Sequence, residues 1–319
     1  MSNTTLKLRW ILAHVPYDLF LRSANAFAKA IKEKTHGSID VEVLGKNEWE
    51  QKYNNGVEVS NFEAMELCAA GEFEMSQVYS TLLGKLDRDF YVLDYPFLFK
   101  NHDHATRVLD GEIGQGLLQN LADKANVRGM AFTYSGGYKM LATNKKIEKI
   151  SDMKGMKLRC GMSPISDATF RAIGVTPLPL GIDGFTDSVA NKEVDGGENV
   201  FPRYYRSNVD KVTSVINNTQ HALFLTTIII NKQLWEEILT EEQRQIIQEC
   251  AQIAATEERK ESLIDGDAAL ARARSENREI VEWSQEAVEE FKQAVEPLYE
   301  EKFDRLFNVK GLAKKIRLS

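Results

Sequence analysis

The side chain with the clearest chemical reading in this sequence is Arg159, in the alternating segment Met156-Lys157-Leu158-Arg159-Cys160. Alternation puts Met156, Leu158 and Cys160 on one face of a strand and Lys157 and Arg159 on the other. Arg159 also stands near the carboxyl end of that strand, and open α/β sheets bind ligands in the crevice beyond such ends. A guanidinium there can hold a carboxylate through two parallel charge-assisted hydrogen bonds, which an ammonium cannot do. A structural ion pair or an exposed arginine fits the same position equally well, so position alone leaves these readings level.

The remaining reactive groups carry weaker patterns. His102-Asp103-His104 has the residue types of a metal site, but it precedes a helix, where polar residues are ordinary caps. Asp87 and Asp89 lie among Lys85 and Arg88 and read as a solvated turn rather than as paired acids. Gly136-Gly137 suits either close backbone approach to a ligand or a hinge. Cys68, Cys160 and Cys250 are scattered singly, so no Cys-x-x-Cys pair exists for zinc or dithiol chemistry, and the odd count leaves at least one free thiol. The sequence has no Walker A loop, Gly-x-Gly-x-x-Gly, Gly-x-Ser-x-Gly elbow or His-Glu-x-x-His helix. These absences weigh against the commonest enzyme classes, and neither a cofactor nor a metal is expected.

The elements that must position these groups follow a βαβ rhythm. Strands are expected at Leu6–Leu12, Ile39–Leu44 and Phe73–Val78, with helices at Leu19–Lys34 and Ser60–Ala70 between them. A second α/β unit begins after the strand Val127–Thr133, with strands at Met156–Cys160 and Val194–Glu198 and a helix at Ser166–Ile173. The apolar run Leu223–Asn231 is a strand able to rejoin the first sheet. Thr240 with Gln243 forms a capping-box signal for a helix reaching about Glu279. That helix would be about 60 Å long, against about 40 Å for the diameter of half this chain, so it must kink or bridge two domains, and the bridge is expected.

A chain of 319 residues fits about two domains. Forty Lys and Arg against 47 Asp and Glu leave a net charge of −7, which gives no global attraction for nucleic acid or an anionic bilayer. The longest apolar run, Leu223–Ile230, is far short of the ~20 residues needed to span a membrane. Met1-Ser-Asn-Thr-Thr leads directly into the first strand without the apolar core of a secretory signal, which fits a cytosolic chain or a mature-length secreted one.

Five segments, in order, carry a resemblance: Leu93-Asp-Tyr-Pro-Phe-Leu-Phe99, Val108-Leu-Asp-Gly-Glu-Ile-Gly114, Ile150-Ser-Asp-Met-Lys-Gly-Met-Lys-Leu-Arg159, Ile173-Gly-Val-Thr-Pro-Leu-Pro179 and Asp195-Gly-Gly-Glu-Asn199. With them the chain, from about Leu6 to Phe307, resembles the extracytoplasmic substrate-binding proteins of TRAP transporters, the DctP-type family that binds small organic acids. The resemblance implies a two-lobed α/β fold of the periplasmic-binding-protein (Venus flytrap) kind, with mixed sheets, a hinge and a long domain-spanning helix. The lobes are expected at 1–133 plus 217–260 and at 134–216 plus 261–319, with the helix at about 240–279 bridging both.

By the same resemblance, Arg159 holds a ligand carboxylate in the interdomain cleft and Asn199 donates to it. Lys139, in Gly137-Tyr138-Lys139, stands where a second arginine is common and offers a point charge instead. Ile182 stands where an aromatic is usual, Gly184 where a glutamate is usual, and Lys192 where a glycine often precedes the Asp-Gly segment. Register with the family also brings His14, Tyr17, Tyr79, Met162 and Phe201 towards the cleft, with Tyr138 and Ile182 alongside. Such a lining suits an acid with a flat or apolar body. The implied protein is a periplasmic monomer and not an enzyme, delivering a small carboxylate to TRAP membrane permease subunits. An enzyme using Lys139 or Cys160 covalently, or a sensor on the same scaffold, are the alternatives.

Overall fold

The computed structural model describes residues 5–14, 18–182 and 184–319, and the chain forms two compact units. The first comprises Met1–Asp87, Leu109–Thr133 and Thr226–Glu261; the second comprises Arg88–Val108, Tyr134–Leu225 and Ser262–Ser319. In chain order the strands are β1 (Leu6–Leu12), β2 (Ile39–Gly45), β3 (Met75–Tyr79), β4 (Val127–Tyr138), β5 (Met140–Thr143), β6 (Lys157–Cys160), β7 (Thr176–Pro179), β8 (Gly196–Asn199), β9 (Val215–Asn218), β10 (Leu223–Asn231) and β11 (Glu279–Glu282). They form one sheet in the order β2-β1-β3-β10-β4 and another in the order β11-β9-β5-β8-β6-β7.

In the first unit β1 pairs in parallel with β2 and β3, and β10 runs antiparallel to β3. The helix Asp18–Lys34 buries Leu19, Phe20, Ala24, Phe27 and Ile31, a helical spacing that lays one apolar stripe on the sheet. Phe27 meets Trp10 at a ring separation of 5.0 Å, and Leu8, Leu12, Ile247, Cys250 and Ala254 complete the same core. The helix Asn61–Ala70 starts on a capping box between Ser60 and Glu63 and stops at Gly71, whose φ of +83° favours glycine.

Beneath that sheet lies a buried polar cluster. Gln77 Nε2 of β3 lies 2.8 Å from Thr133 Oγ1, 3.0 Å from Thr226 Oγ1 and 2.7 Å from each carboxyl oxygen of Glu258. Arg259, the next residue, donates to Phe132 O and closes a two-bond fork on Asp110 at 2.8 and 2.7 Å.

The expected long helix is present as Glu241–Ser275, 35 residues, opened by the reciprocal Thr240 and Gln243 bonds. Among the described residues no helix is long and apolar enough to cross a membrane.

The second unit takes in two segments that were expected in the first lobe, 88–108 and 217–225. Hydrogen bonds explain both. Phe97 N donates to His221 O at 2.7 Å, Tyr299 Oη donates to Pro96 O, and β9, which ends at Asn218, pairs with β5 and β11. Asp87 and Asp89 are not in a solvated turn: both are 1% exposed. Lys124 Nζ bonds Asp87 at 2.7 Å, and Asn308 N donates to Asp89 at 2.6 Å. Short polar segments give no periodic signal from which such burial could be read.

His104 N is capped by Asn101 Oδ1 at 2.8 Å, and its ring lies between Lys100 N and Ile316 O. Among the described residues no group of three His, Cys, Asp or Glu is arranged to hold a metal.

Candidate functional site

The second sheet decides where Arg159 points. β6 is parallel to both β7 and β8, with Arg159 opposite Leu178 on one side and Gly197 on the other. Gly196 and Gly197 allow this close packing. A Cβ on Gly196 would stand 2.2 Å from Ala142 O, and one on Gly197 would stand 2.4 Å from Arg159 O and 2.6 Å from Arg159 Cβ. Carbonyl oxygens and a Cβ do not move when a side chain rotates, so none of these contacts can be relieved that way. Gly197→Ala is therefore expected to cost about 1–3 kcal/mol through overpacking and to displace Arg159. A urea-denaturation midpoint equal to that of the unmodified protein would contradict this.

Arg159 is half-buried. Its Nε donates to Leu180 O at 2.7 Å and its Nη1 to Glu198 O at 2.9 Å, with the guanidinium carbon 5.6 Å from the Phe185 ring centroid. Carbonyl acceptors orient a guanidinium plane without removing its charge. Asn199 is the next residue of β8 after Glu198 and is 5% exposed. Its Oδ1 accepts from Val200 N at 2.8 Å, while its Nδ2 is buried with no hydrogen-bond partner. Because β6 and β8 are parallel, Arg159 and Asn199 both lie towards the carboxyl ends of neighbouring strands, where α/β sheets place ligands.

Lys139 is not open to an anion as expected. Its ammonium lies 3.1 Å from Glu198 Oε1, with both side chains buried. Glu198 Oε1 also lies 2.9 Å from His221 Nε2, and its Oε2 accepts from Gly161 N at 2.5 Å and Ser166 Oγ at 3.2 Å. Burial alone would raise this carboxyl, but Lys139, His221 and Arg159 outweigh it and hold it well below the usual range. Glu198 and His221 were not singled out in the sequence. Glu198 falls within the Asp195-Gly-Gly-Glu-Asn199 segment that carries the resemblance, whereas His221 stands in no such segment.

The other expected site residues divide by unit. In the second, the Tyr138 hydroxyl points to Phe99 O at 3.5 Å, and its ring lies 4.9 Å from that of His102. Met162 is 46% exposed. Phe201 belongs to the hydrophobic core with Tyr204, Val209 and Ile216, and Ile182 packs against that core, because the helix Phe201–Arg206 turns Phe201 inward. In the first, His14 follows β1 and Tyr79 ends β3, so they adjoin at the carboxyl ends of parallel strands. Their rings stack at 3.7 Å, and Tyr79 N donates to His14 Nε2 at 3.0 Å. Tyr17 lies outside the described residues.

Neither group named for covalent chemistry is poised for it. Burial, then Glu198, pushes the Cys160 thiol up to about 12, far from the thiolate a nucleophile needs. Lys139 is held as an ammonium: burial opposes its charge, but Glu198 prevails.

The second α/β unit thus places an arginine and an asparagine towards the carboxyl ends of adjacent strands, where open α/β sheets bind solutes. The family described as bacterial extracellular solute-binding protein, family 7 (DctP), matches residues 15–306. The chain belongs to this family. It is 29% identical over 75% of its length to a solute-binding protein of Chromohalobacter salexigens, covering 68% of that protein. It is 27% identical over 71% of its length to the C4-dicarboxylate-binding protein DctB of Bacillus subtilis, of which it spans 62%. The TRAP periplasmic solute-binding protein of Ochrobactrum anthropi superposes with a TM-score of 0.84 at 25% identity, over 99% of this chain and 97% of that one. One from Roseobacter denitrificans with bound β-D-glucuronate shares the fold at a TM-score of 0.85 and 24% identity, covering 98% and 99%.

Proposed function

We infer that this chain captures a small organic acid outside the cytoplasm, as a monomer, and presents it to the membrane permease of a TRAP transporter. The acid's carboxylate meets the Arg159 guanidinium and the Nδ2 of Asn199, and no bond of the acid is made or broken. The observation that carries this reading is Asn199 Nδ2, buried and without a partner one residue beyond the carbonyl that orients Arg159. A buried donor left unmade costs about 1–3 kcal/mol, a cost recovered when an anion accepts it. Membership of the family supports transport rather than catalysis, and the glucuronate held by the Roseobacter protein supports an acid as the class of ligand.

A thermal-shift screen over keto, aromatic, sugar and dicarboxylic acids tests the reading. An acid present at ~100 times its dissociation constant should stabilise the protein by about 2.7 kcal/mol, and it should be recovered unchanged after long incubation. Turnover of the acid would point to the enzyme alternative. A screen with no stabilising acid would remove the reading.

A further inference from the structure

Glu198 does two things at once. Its carbonyl accepts from Arg159, while its carboxylate gathers donors from four other places. Lys139 comes from the link between β4 and β5, Gly161 follows β6, Ser166 lies in the helix Pro164–Ala172, and His221 stands between β9 and β10. Each carboxyl oxygen thereby has two partners. The Lys139 ammonium lies against Gly161, where an added Cβ would be 3.5 Å from both Lys139 Nζ and Glu198 Oε2. Lys139 immediately precedes Met140, which is paired with Asn199 across β5 and β8, so it stands at the same end of the sheet as Asn199.

We propose that Glu198 is a specificity-determining residue: by holding Lys139 in an internal ion pair, it withdraws a second positive charge from the acid site and makes the site select monocarboxylates over dicarboxylates. This rests on the reading that Arg159 and Asn199 take a carboxylate. A second ligand carboxylate would have to compete with Glu198 for Lys139. Glu198 has the advantage, since it is covalently placed, already desolvated and bonded by three further donors. A ligand anion left beside Glu198 without Lys139 would meet like charge in a low-dielectric surrounding, which disfavours it. A neutral hydroxyl or apolar end meets no such opposition.

The test compares acids of one skeleton that differ by a single carboxylate: succinamate with succinate, and glucuronate with glucarate. Calorimetric affinities are measured for the unmodified protein, Glu198→Gln, and the double variant Glu198→Gln/Lys139→Gln. The unmodified protein should favour the monoanion of a pair by tenfold or more. Glu198→Gln, which releases Lys139, should raise the dianion-to-monoanion affinity ratio by about tenfold, and the double variant should return it. If Glu198→Gln proves unfolded by circular dichroism, Lys139→Gln alone carries the test. It leaves the Glu198 charge uncancelled and should move the ratio the opposite way.

A purely structural role for the pair would weaken both acids equally, and an unchanged ratio in the folded variants would overturn the proposal. So would equal affinity of the unmodified protein for both members of a pair. Failure of the unmodified protein to bind any of these or the screened acids would instead bring down the carboxylate reading, and this inference with it.

Discussion

Replacing Arg159 by alanine is expected to lower affinity for the captured acid by about 30-fold or more, since removing one partner of a hydrogen-bonded charge pair costs about 2–5 kcal/mol. The loss should exceed that of any single apolar contact because the guanidinium is oriented in advance. Bonds to Leu180 O and Glu198 O fix its plane, so little further ordering is needed when the acid arrives. Arg159→Lys keeps the charge but not the planar fork, and an ammonium on a flexible stem cannot hold both carbonyls and still meet a carboxylate side-on. It should retain only a weak remnant of binding. Isothermal titration calorimetry on variants with unaltered circular dichroism is the measurement, and unchanged affinity in the alanine variant would end the assignment.

The second large effect is expected at Glu258. Burial raises this carboxyl to about 8, opposed only in part by Ser23, Gln77 and the charges of Arg22 and Arg259. Between its ordinary value and about 8 the folded protein binds a proton there that the unfolded chain releases, so stability must fall as pH rises through that window. At 1.36 kcal/mol per unit, the contribution lost between about pH 5 and pH 9 is on the order of 4 kcal/mol. Glu258→Gln imitates the protonated form without titrating. Its stability relative to the unmodified protein should therefore grow from pH 6 to about pH 8 and level off above that in urea denaturation. A difference that stays constant across that range would show that Glu258 does not titrate in the folded state.

Much of the scaffold was legible because it is local. The alternation from Leu6 to Trp10 and the helical spacing of Leu19, Phe20, Ala24, Phe27 and Ile31 each depend on which face a residue turns to the core, and periodicity reports that. Thr240 with Gln243 marked a helix start because a cap is a bond across three residues. Less legible was the assignment of 88–108 and 217–225 to the second unit, which depends on bonds such as Phe97 to His221 across more than a hundred residues. The burial of Asp87 and Asp89 likewise depends on Lys124 and Asn308. No window along the chain contains these partners.

The proposed acid site divides in the same way. Sequence by itself determined that Arg159 lies near the end of a β-strand, that Gly196 and Gly197 accompany Asn199, and which family the ordered segments resemble. These are properties of neighbours in the chain. Only the tertiary structure decided that Lys139 belongs to Glu198, that His221 and Ser166 bond the same carboxylate, and that Asn199 Nδ2 is left without a partner. A side chain's type sets what charge or donor it carries. Whether that charge is already cancelled depends on groups folded to within about 3 Å of it, and for Lys139 that group lies 59 residues along the chain.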